Sequence, residues 1–563
     1  MKHFVEGTMK HFGYESCYYF YGKQWGSWEE LCQNFKWEIP EKMNAAFFVC
    51  DAYADDPDRP AIHYEDHTGR KGRFTFSDLS KSTNQLANYF SAQDLAENEC
   101  VAVCTRQKPE NIISHIAAWK CGAVSMPLTV MFGIDGLKYR LSHSRAKIAV
   151  VEAEVLDRLR QIRTELPDLQ HVLVLGDVPL KEGEKEFWGA LQPMSENFSM
   201  VEKNSSDNLI ITYTSGTTGP PKGVLHRHSF ILHSAHHYAV LGNAEIRGDD
   251  VFWHPADYAW MGSLFDLAFP ALFYGRPIVT YSGERFSAEK AYQLINDYRI
   301  TIAYIPPTAL RMMRQLENPS KRWNLSSLRT IMSGGESLGT ALPQWIRETF
   351  SPETVVHEAY GQTEGTLLLG NCQKYFEYKQ NLGKSLPGLQ VEILDDYGNI
   401  APAGQPGEIA VRATDGNPIV FKEYWKDEEK TKEKFLGDWM LTGDEGVKDE
   451  EGYFSFIGRK DDIIISSGYR IGPSEIEDAL TKHKAVLEAG VIGVPDELRG
   501  QVPKAYVVLK EGYEPSKDLE NDLREFVKSR LAMHEAPRYF AFVSDLPKTV
   551  VGKVKRMDLR GLD

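Results

Sequence analysis

Long apolar runs are missing from this chain of 563 residues. No stretch approaches the roughly 20 consecutive apolar residues that a bilayer-spanning helix needs, and Met1-Lys-His-Phe-Val-Glu-Gly7 lacks the apolar core of a secretory signal. No integral membrane segment is therefore expected. Cysteine is also scarce: seven residues, an odd number spread thinly, make no disulfide framework. Cys100 and Cys104, in or beside an apolar run with Val101 and Val103, read as small buried thiols rather than ligands. These absences lead to the expectation of a reducing, cytoplasmic compartment. Positive charge is in deficit, with 64 Lys and Arg against 79 Asp and Glu for a net −15, which excludes a general nucleic-acid or anionic-membrane binder. Internal repeats and low-complexity sequence are absent too.

What is present is a soluble, globular composition, 42% hydrophobic and 25% charged, in a chain too long for one ordinary domain. Residues 1–50 are rich in Tyr, Phe and Trp without a period, which suggests an arm packed onto the body. From about residue 60, apolar runs such as Val101–Cys104, Ala123–Pro127, Lys147–Val151 and His171–Leu175 read as strands separated by helical patterns. One such helix is Pro109 to Cys121, with proline at its start and Ile112, Ile113, Ile116 and Ala117 on one face. The alternation predicts parallel sheets covered by helices. A β-rich stretch comes next, over roughly 383–457, and the polar patch Arg459-Lys-Asp-Asp462 marks the expected domain boundary. Beyond it lie about a hundred residues of α+β pattern, ending in the chain's one dense basic cluster, Leu546 to Arg556.

The stretch Tyr213-Thr-Ser-Gly-Thr-Thr-Gly-Pro-Pro-Lys-Gly223 comes after the β-type run Leu209–Thr212 and is built to hold phosphate. Its glycines let backbone N–H groups approach an anion, Thr214, Ser215, Thr217 and Thr218 add hydroxyl donors, and Lys222 adds a point charge. The spacing is not that of a P-loop, and Pro220-Pro221 forbid a helix starting at the lysine. Taken alone, the composition fits a flexible surface loop equally well. Five histidines in the next twelve residues, His226 to His237, raise the question of a metal, since His233 and His237 would share a helix face. No third ligand of Cys or acidic type has a fitting spacing, so a histidine-rich helix start beside the phosphate site is the preferred reading.

Further loops occur in order: Ala256-Asp-Tyr-Ala-Trp260, Ser333-Gly-Gly-Glu-Ser337, Tyr360-Gly-Gln-Thr-Glu364, Thr442-Gly-Asp444, Gly458-Arg-Lys-Asp-Asp462, Gly468-Tyr-Arg-Ile471 with Glu475-Ile-Glu477, and Pro547-Lys-Thr-Val-Val-Gly-Lys553. With the phosphate loop they run from about residue 45 to 556. In this order and spacing the chain resembles the acyl-adenylate-forming enzymes, and within them the AMP-forming acyl-CoA synthetases of the acetyl- and medium-chain branch.

That resemblance implies a large N-terminal domain, 1–460, of two α/β subdomains plus a β-rich subdomain, followed by a small, mobile α+β C-terminal domain, 461–563. It implies a carboxylic acid, ATP with Mg2+, and coenzyme A as the small molecules handled. The acid would attack the α-phosphorus of MgATP to give acyl-AMP and pyrophosphate, and the CoA thiol would then displace AMP. Thr214, Ser215, Gly216, Thr217, Thr218 and Lys222 would hold the β- and γ-phosphates, Glu364 the Mg2+, and Thr363 the α-phosphate. Gly335, Glu336 and Ser337 would face adenine beside Tyr360, Gly361 and Gln362, while Asp444 and Arg459 would bind the ribose hydroxyls. Lys553 would bridge carboxylate and α-phosphate. Asp461 would be the hinge, and Ser467, Gly468 and Tyr469 would line the CoA tunnel, with Arg470 beside them among the cofactor-binding residues. Val551, where relatives usually have serine, and Gly365, where many have threonine, depart from the pattern.

Trp260, Met261 and Gly262 would shape the acyl pocket, with Trp260 close to the chemistry. Acetate-restricted relatives carry tryptophan at the position of Gly361, so glycine here implies an open floor and a short-to-medium, branched or cyclic acid. A peptide-synthetase adenylation module would instead want an acidic residue for the amino group near Trp260-Met261 and a following carrier domain, which is not expected after Lys553. A non-catalytic nucleotide-binding regulator would not need Lys222, Glu364, Asp444, Arg459 and Lys553 together.

Overall fold

The computed structural model describes residues 23–214, 220–283, 285–335, 338–339, 341–413, 420–466, 469–496, 499–531, 535–548 and 554–562, with the side chains at 465, 469, 470 and 500 excepted. Packing divides the chain into two units: residues 1–380, 385–389 and 413–433, and residues 381–384, 390–412 and 434–563. This grouping differs from the boundary expected at 460. The β-rich segment packs with the C-terminal residues, and its last strand is tied to them by a turn in which the Arg459 carbonyl accepts from the Asp462 and Ile463 amides, both at 2.9 Å.

The first unit holds two largely parallel sheets with helical covers. One runs Lys71–Thr75, Pro60–Asp66, Ile278–Ser282, Phe252–Trp253, Ile302–Tyr304, Thr330–Gly334, Val355–Gln362, Thr366–Gly370 and Lys384–Ser385, parallel from Pro60–Asp66 to Val355–Gln362, with Lys71–Thr75 and Thr366–Gly370 joined antiparallel at either side of that run. The other runs Glu423–Tyr424, Lys222–Arg227, Asn208–Thr214, Val124–Pro127, Cys100–Cys104, Ala146–Glu152, His171–Leu175 and Glu184–Glu186. The expected helix is present as Pro109–Lys120 and is buried on all sides, so Trp119 and even Lys120 sit in the interior, the lysine answered by Asp51 at 2.7 Å. Between the sheets Trp119, Phe230, Phe265 and Phe269 build the central apolar cluster. Residues 23–50 of the expected arm do pack onto this body: Trp28 meets Phe376 edge-on, and Trp37 Nε1 donates to the Gly388 carbonyl. The cysteines that the structure describes are all free, and burial pushes Cys100 up to about 12.

The second unit contains two sheets. The first joins Val391–Leu394, Pro406–Arg412, Trp439–Lys448, Phe435–Leu436 and Phe454–Arg459. The second, built entirely from residues after 460, joins Tyr469–Ile471, Ile464–Ser466, Gly500–Leu509, Val486–Asp496 and Tyr539–Phe542. Helices Pro473–Thr481 and Lys517–Lys528 cover it through Ile476, Leu480, Leu523 and Val527. The join between the sheets is tight at Gly472, where a Cβ would stand 1.9 Å from the Ile457 carbonyl oxygen. Near the same join Arg556 reaches Glu477 at 2.6 Å and Asp462 at 3.2 Å, while Arg560 takes the other Asp462 oxygen at 3.0 Å and donates to the Asp461 carbonyl. No helix among the described residues is long and apolar enough to cross a membrane.

Candidate active site

Lys222 does not sit in a loop before a helix; it opens a strand, Lys222–Arg227, that runs antiparallel to Asn208–Thr214. The register places Lys222 directly opposite Thr214, so the two described ends of the phosphate loop face each other across one pair of strands. Ser215, Gly216, Thr217 and Thr218 lie outside the described residues.

Across from this hairpin, strand Val355–Gln362 delivers the turn that carries Thr363 and Glu364, where the outer ends of strands form binding crevices in open sheets. Glu364 is buried, and Tyr424 donates to its Oε1 at 2.6 Å. The Lys222 ammonium sits over the ring of the same tyrosine, 4.9 Å from its centre. Tyr424 thus ties a cation and a carboxylate together, two groups 142 positions apart in the chain. Among the described residues Glu364 Oε2 has no hydrogen-bond donor, so one hard oxygen remains for a divalent cation. Mg2+ bound with phosphate oxygens asks for only one or two protein carboxylates, which fits this donor set; no group of three His, Cys, Asp or Glu suited to a metal occurs among the described residues.

The histidine-rich segment spans the strand and the helix Phe230–Leu241 and serves this turn. His226 Nε2 donates to the Thr363 carbonyl at 2.7 Å, His233 Nε2 to the Gly365 carbonyl at 3.2 Å, and His237 Nε2 to the Pro387 carbonyl at 3.0 Å. Burial holds all three well below the usual histidine range, His226 and His237 at about 3. They are neutral donors: His226 and His233 fix the backbone on either side of Glu364, and His237 holds the Pro387 carbonyl. His233 and His237 do share a face, with ring centres 4.2 Å apart.

Gly335 comes directly after strand Thr330–Gly334 with φ +85, a conformation that favours glycine, and is exposed. Glu336 and Ser337 lie outside the described residues. Tyr360 is buried, and Gln362 is half-buried. Gly361 sits at a register shift in the hairpin with Thr366–Gly370, and a Cβ there would stand 1.5 Å from the Thr366 carbonyl oxygen. The bulge, not a pocket, requires the glycine. Trp260 caps the short helix Met261–Ser263 in extended conformation and is half-buried, Met261 is buried, and Gly262 faces Tyr304, with a Cβ at 3.1 Å from its ring.

In the second unit Asp444 and Arg459 are register partners on adjacent strands, with Arg459 Nε 3.3 Å from Asp444 Oδ1. A carboxylate and a guanidinium side by side suit a vicinal diol, one accepting and one donating. Asp461 is exposed in the turn after this strand. Ser467, Gly468 and Lys553 lie outside the described residues, as does the side chain of Arg470.

Residues 50–425 match the AMP-binding enzyme family and residues 475–553 match its C-terminal domain. The chain belongs to the AMP-binding enzyme family. The chain is 36% identical to the uncharacterized acyl-CoA ligase YtcI of Bacillus subtilis (strain 168) over 89% of its own length and 93% of that protein's. It is 33% identical to the acetyl-coenzyme A synthetase of the same organism over 99% and 96%. A crystal structure of the anthranilate CoA ligase AuaEII with anthranoyl-AMP superposes with a TM-score of 0.84 at 29% identity, covering 93% of this chain and 98% of that one. Within the AMP-binding enzymes this chain stands among the AMP-forming acyl-CoA synthetases, ligases that make a carbon–sulfur bond with ATP, Mg2+ and CoA.

Tyr424 is the site residue that sequence reasoning missed. Its signal is faint: an aromatic in Glu423-Tyr-Trp425, near no motif. Removing its hydroxyl with Tyr424→Phe is expected to leave folding intact, release the Glu364 carboxylate from its fixed position and weaken Mg2+ binding. The expected readout is a severalfold higher Mg2+ concentration for half-maximal adenylation, measured by pyrophosphate release. An unchanged Mg2+ titration would argue that Tyr424 only packs.

Proposed function

We propose that this synthetase activates short-to-medium, branched or cyclic carboxylic acids in the cytoplasm, through acyl-AMP, to acyl-CoA. The observation that carries the site reading is the bridge from Lys222 through Tyr424 to Glu364, which gathers a phosphate-binding cation and a metal-binding carboxylate beside Thr214 and the Thr363 turn. In this reading Thr214, Ser215, Gly216, Thr217, Thr218 and Lys222 hold the pyrophosphate end, Thr363 donates to the α-phosphate, and Lys553 links it to the carboxylate. Gly335, Glu336, Ser337, Tyr360, Gly361 and Gln362 frame adenine, and Asp444 with Arg459 takes the ribose. Mg2+ on Glu364, when bound, offsets charge on the phosphate oxygens. Asp461 is the pivot after which Ser467, Gly468 and Arg470 face CoA. The free, buried cysteines support the compartment.

The acid range rests on the wall formed by Trp260, Met261 and Gly262. Scoring AMP formation with CoA across acids from acetate to decanoate, with branched and aromatic members, tests it. An optimum above two carbons is expected, and acetate as the sole good substrate would overturn the reading. Because a Cβ at Gly262 would press on Tyr304, Gly262→Ala is expected to move the optimum to smaller acids, lowering kcat/KM for the bulkiest by about 10–200-fold.

A further inference from the structure

Asp266 has no established part in this site, yet it is the most anomalous side chain near it. It lies in the segment Leu264–Ala268, a widened π-helical turn that continues from Met261–Ser263 and whose Phe265 packs on Phe230 and Phe269 in the central cluster. Only 7% of its surface is accessible, and among the described residues neither oxygen has a hydrogen-bond partner; Oδ1 is fully enclosed. Burying a carboxyl without a partner is costly, and π-turns persist mostly where a site uses them. The side chain is not sealed in apolar packing on every side. Its Oδ2 lies beside Gly262, since a Cβ on that glycine would stand 3.5 Å from it and 3.1 Å from the Tyr304 ring. A second orphan, the buried Tyr238 hydroxyl, has no partner among the described residues either; burial pushes that phenol up, with the Asp250 and Asp266 charges adding to it. Desolvation raises the Asp266 carboxyl itself to about 7.

We propose that Asp266 is a specificity residue at the far end of the acyl pocket, selecting carboxylic acids whose tail carries an N–H or O–H donor, such as an amino- or hydroxy-substituted acid. The assignment rests on the proposed role of Trp260, Met261 and Gly262 as the acyl wall. A donor brought in by the substrate meets the unpartnered oxygen beside Gly262, where no other described side chain supplies one. An unsubstituted alkyl tail leaves that carboxyl stranded. The alternative occupant is a water molecule bridging Asp266 and Tyr238, in which case the pair is structural and indifferent to the tail.

The test is a set of matched acids on the full-length enzyme: hexanoate with 6-aminohexanoate and 6-hydroxyhexanoate, and benzoate with its 2-, 3- and 4-amino derivatives. For each, kcat/KM for AMP formation with CoA is measured for wild type, Asp266→Asn and Asp266→Leu. Wild type is expected to favour at least one donor-bearing acid over its plain partner by about 10²-fold or more, because a site built for a hydrogen bond discriminates strongly against its loss. Asp266→Leu is expected to reverse that ratio, and Asp266→Asn to shrink it; if the leucine variant does not fold, the asparagine variant decides. The amino and hydroxy arms separate the two donors, and a preference for the amino tail should grow as pH rises through about 7 and the carboxyl ionises. A wild-type preference for plain tails, or variants that scale every acid equally, would overturn the proposal while leaving the synthetase reading intact. No AMP formed with any acid would instead sink the synthetase reading itself.

Discussion

Lys553→Ala is expected to abolish acyl-AMP formation while the variant still converts supplied acyl-AMP and CoA to acyl-CoA and AMP. The first half-reaction brings a carboxylate onto a polyphosphate, and a single preorganised donor aimed at developing charge is worth about 10²–10³ in rate. The second half-reaction expels AMP and has no use for a lysine between the acid and the phosphate. Pyrophosphate exchange reads the first step, and thioester formation from synthetic acyl-AMP reads the second. Equal loss in both would refute the division of labour between the two half-reactions.

The second large effect concerns acid. Seven histidines of the first unit, His115, His226, His228, His233, His237, His254 and His357, are buried. Desolvation lowers each, to about 3 for His115, His226, His228, His237 and His254, to about 4 for His357, and well below the usual value for His233. Above pH 7 they are neutral whether folded or unfolded and contribute no pH dependence. Below the ordinary value of 6.5 the unfolded chain binds protons that the folded chain refuses, and stability falls by about 1.4 kcal/mol per pH unit for each. The raised carboxyls of Asp266, Asp257 and Glu110 act in the opposite direction, but they are fewer. Stability is therefore expected to be nearly flat from pH 8 to 7 and to collapse between pH 6.5 and 5, within the ordinary range of total stability of about 5–15 kcal/mol. Denaturant midpoints at each pH measure it. Among the described residues His115 has no hydrogen-bond partner on either ring nitrogen, so His115→Leu is expected to keep the fold and flatten the slope by about one proton. A midpoint unchanged down to pH 5 would show that the histidines are not refused protons.

Much of the scaffold was legible from pattern alone. Helix Pro109–Lys120 announces itself by proline and apolar spacing, and His171–Leu175 by a short apolar run. The family resemblance likewise led to the AMP-binding family that the comparisons found. What stayed hidden depends on pairing between distant segments. Pro220-Pro221 exclude a helix at Lys222 but do not say that the lysine enters a strand opposite Thr214. Tyr424 reaches Glu364 only once its short strand pairs with Lys222–Arg227. Gly361 reads as an open floor in the sequence, whereas in the fold its Cβ position is filled by the Thr366 carbonyl, so Gly361→Trp would rebuild the hairpin before it closed any pocket. The histidines invited a metal because spacing shows a shared face; only the carbonyls they meet show what they hold.

The cluster around Asp462 gives the tail of the chain a mechanical meaning. Arg556 is three positions after Lys553 and is fastened to Glu477 and Asp462, while Arg560 grips Asp462 and the Asp461 carbonyl. In the proposed reading Asp461 is the pivot, so the residues that follow position 553 are fastened to the pivot's own turn, and a rotation there would carry them with it.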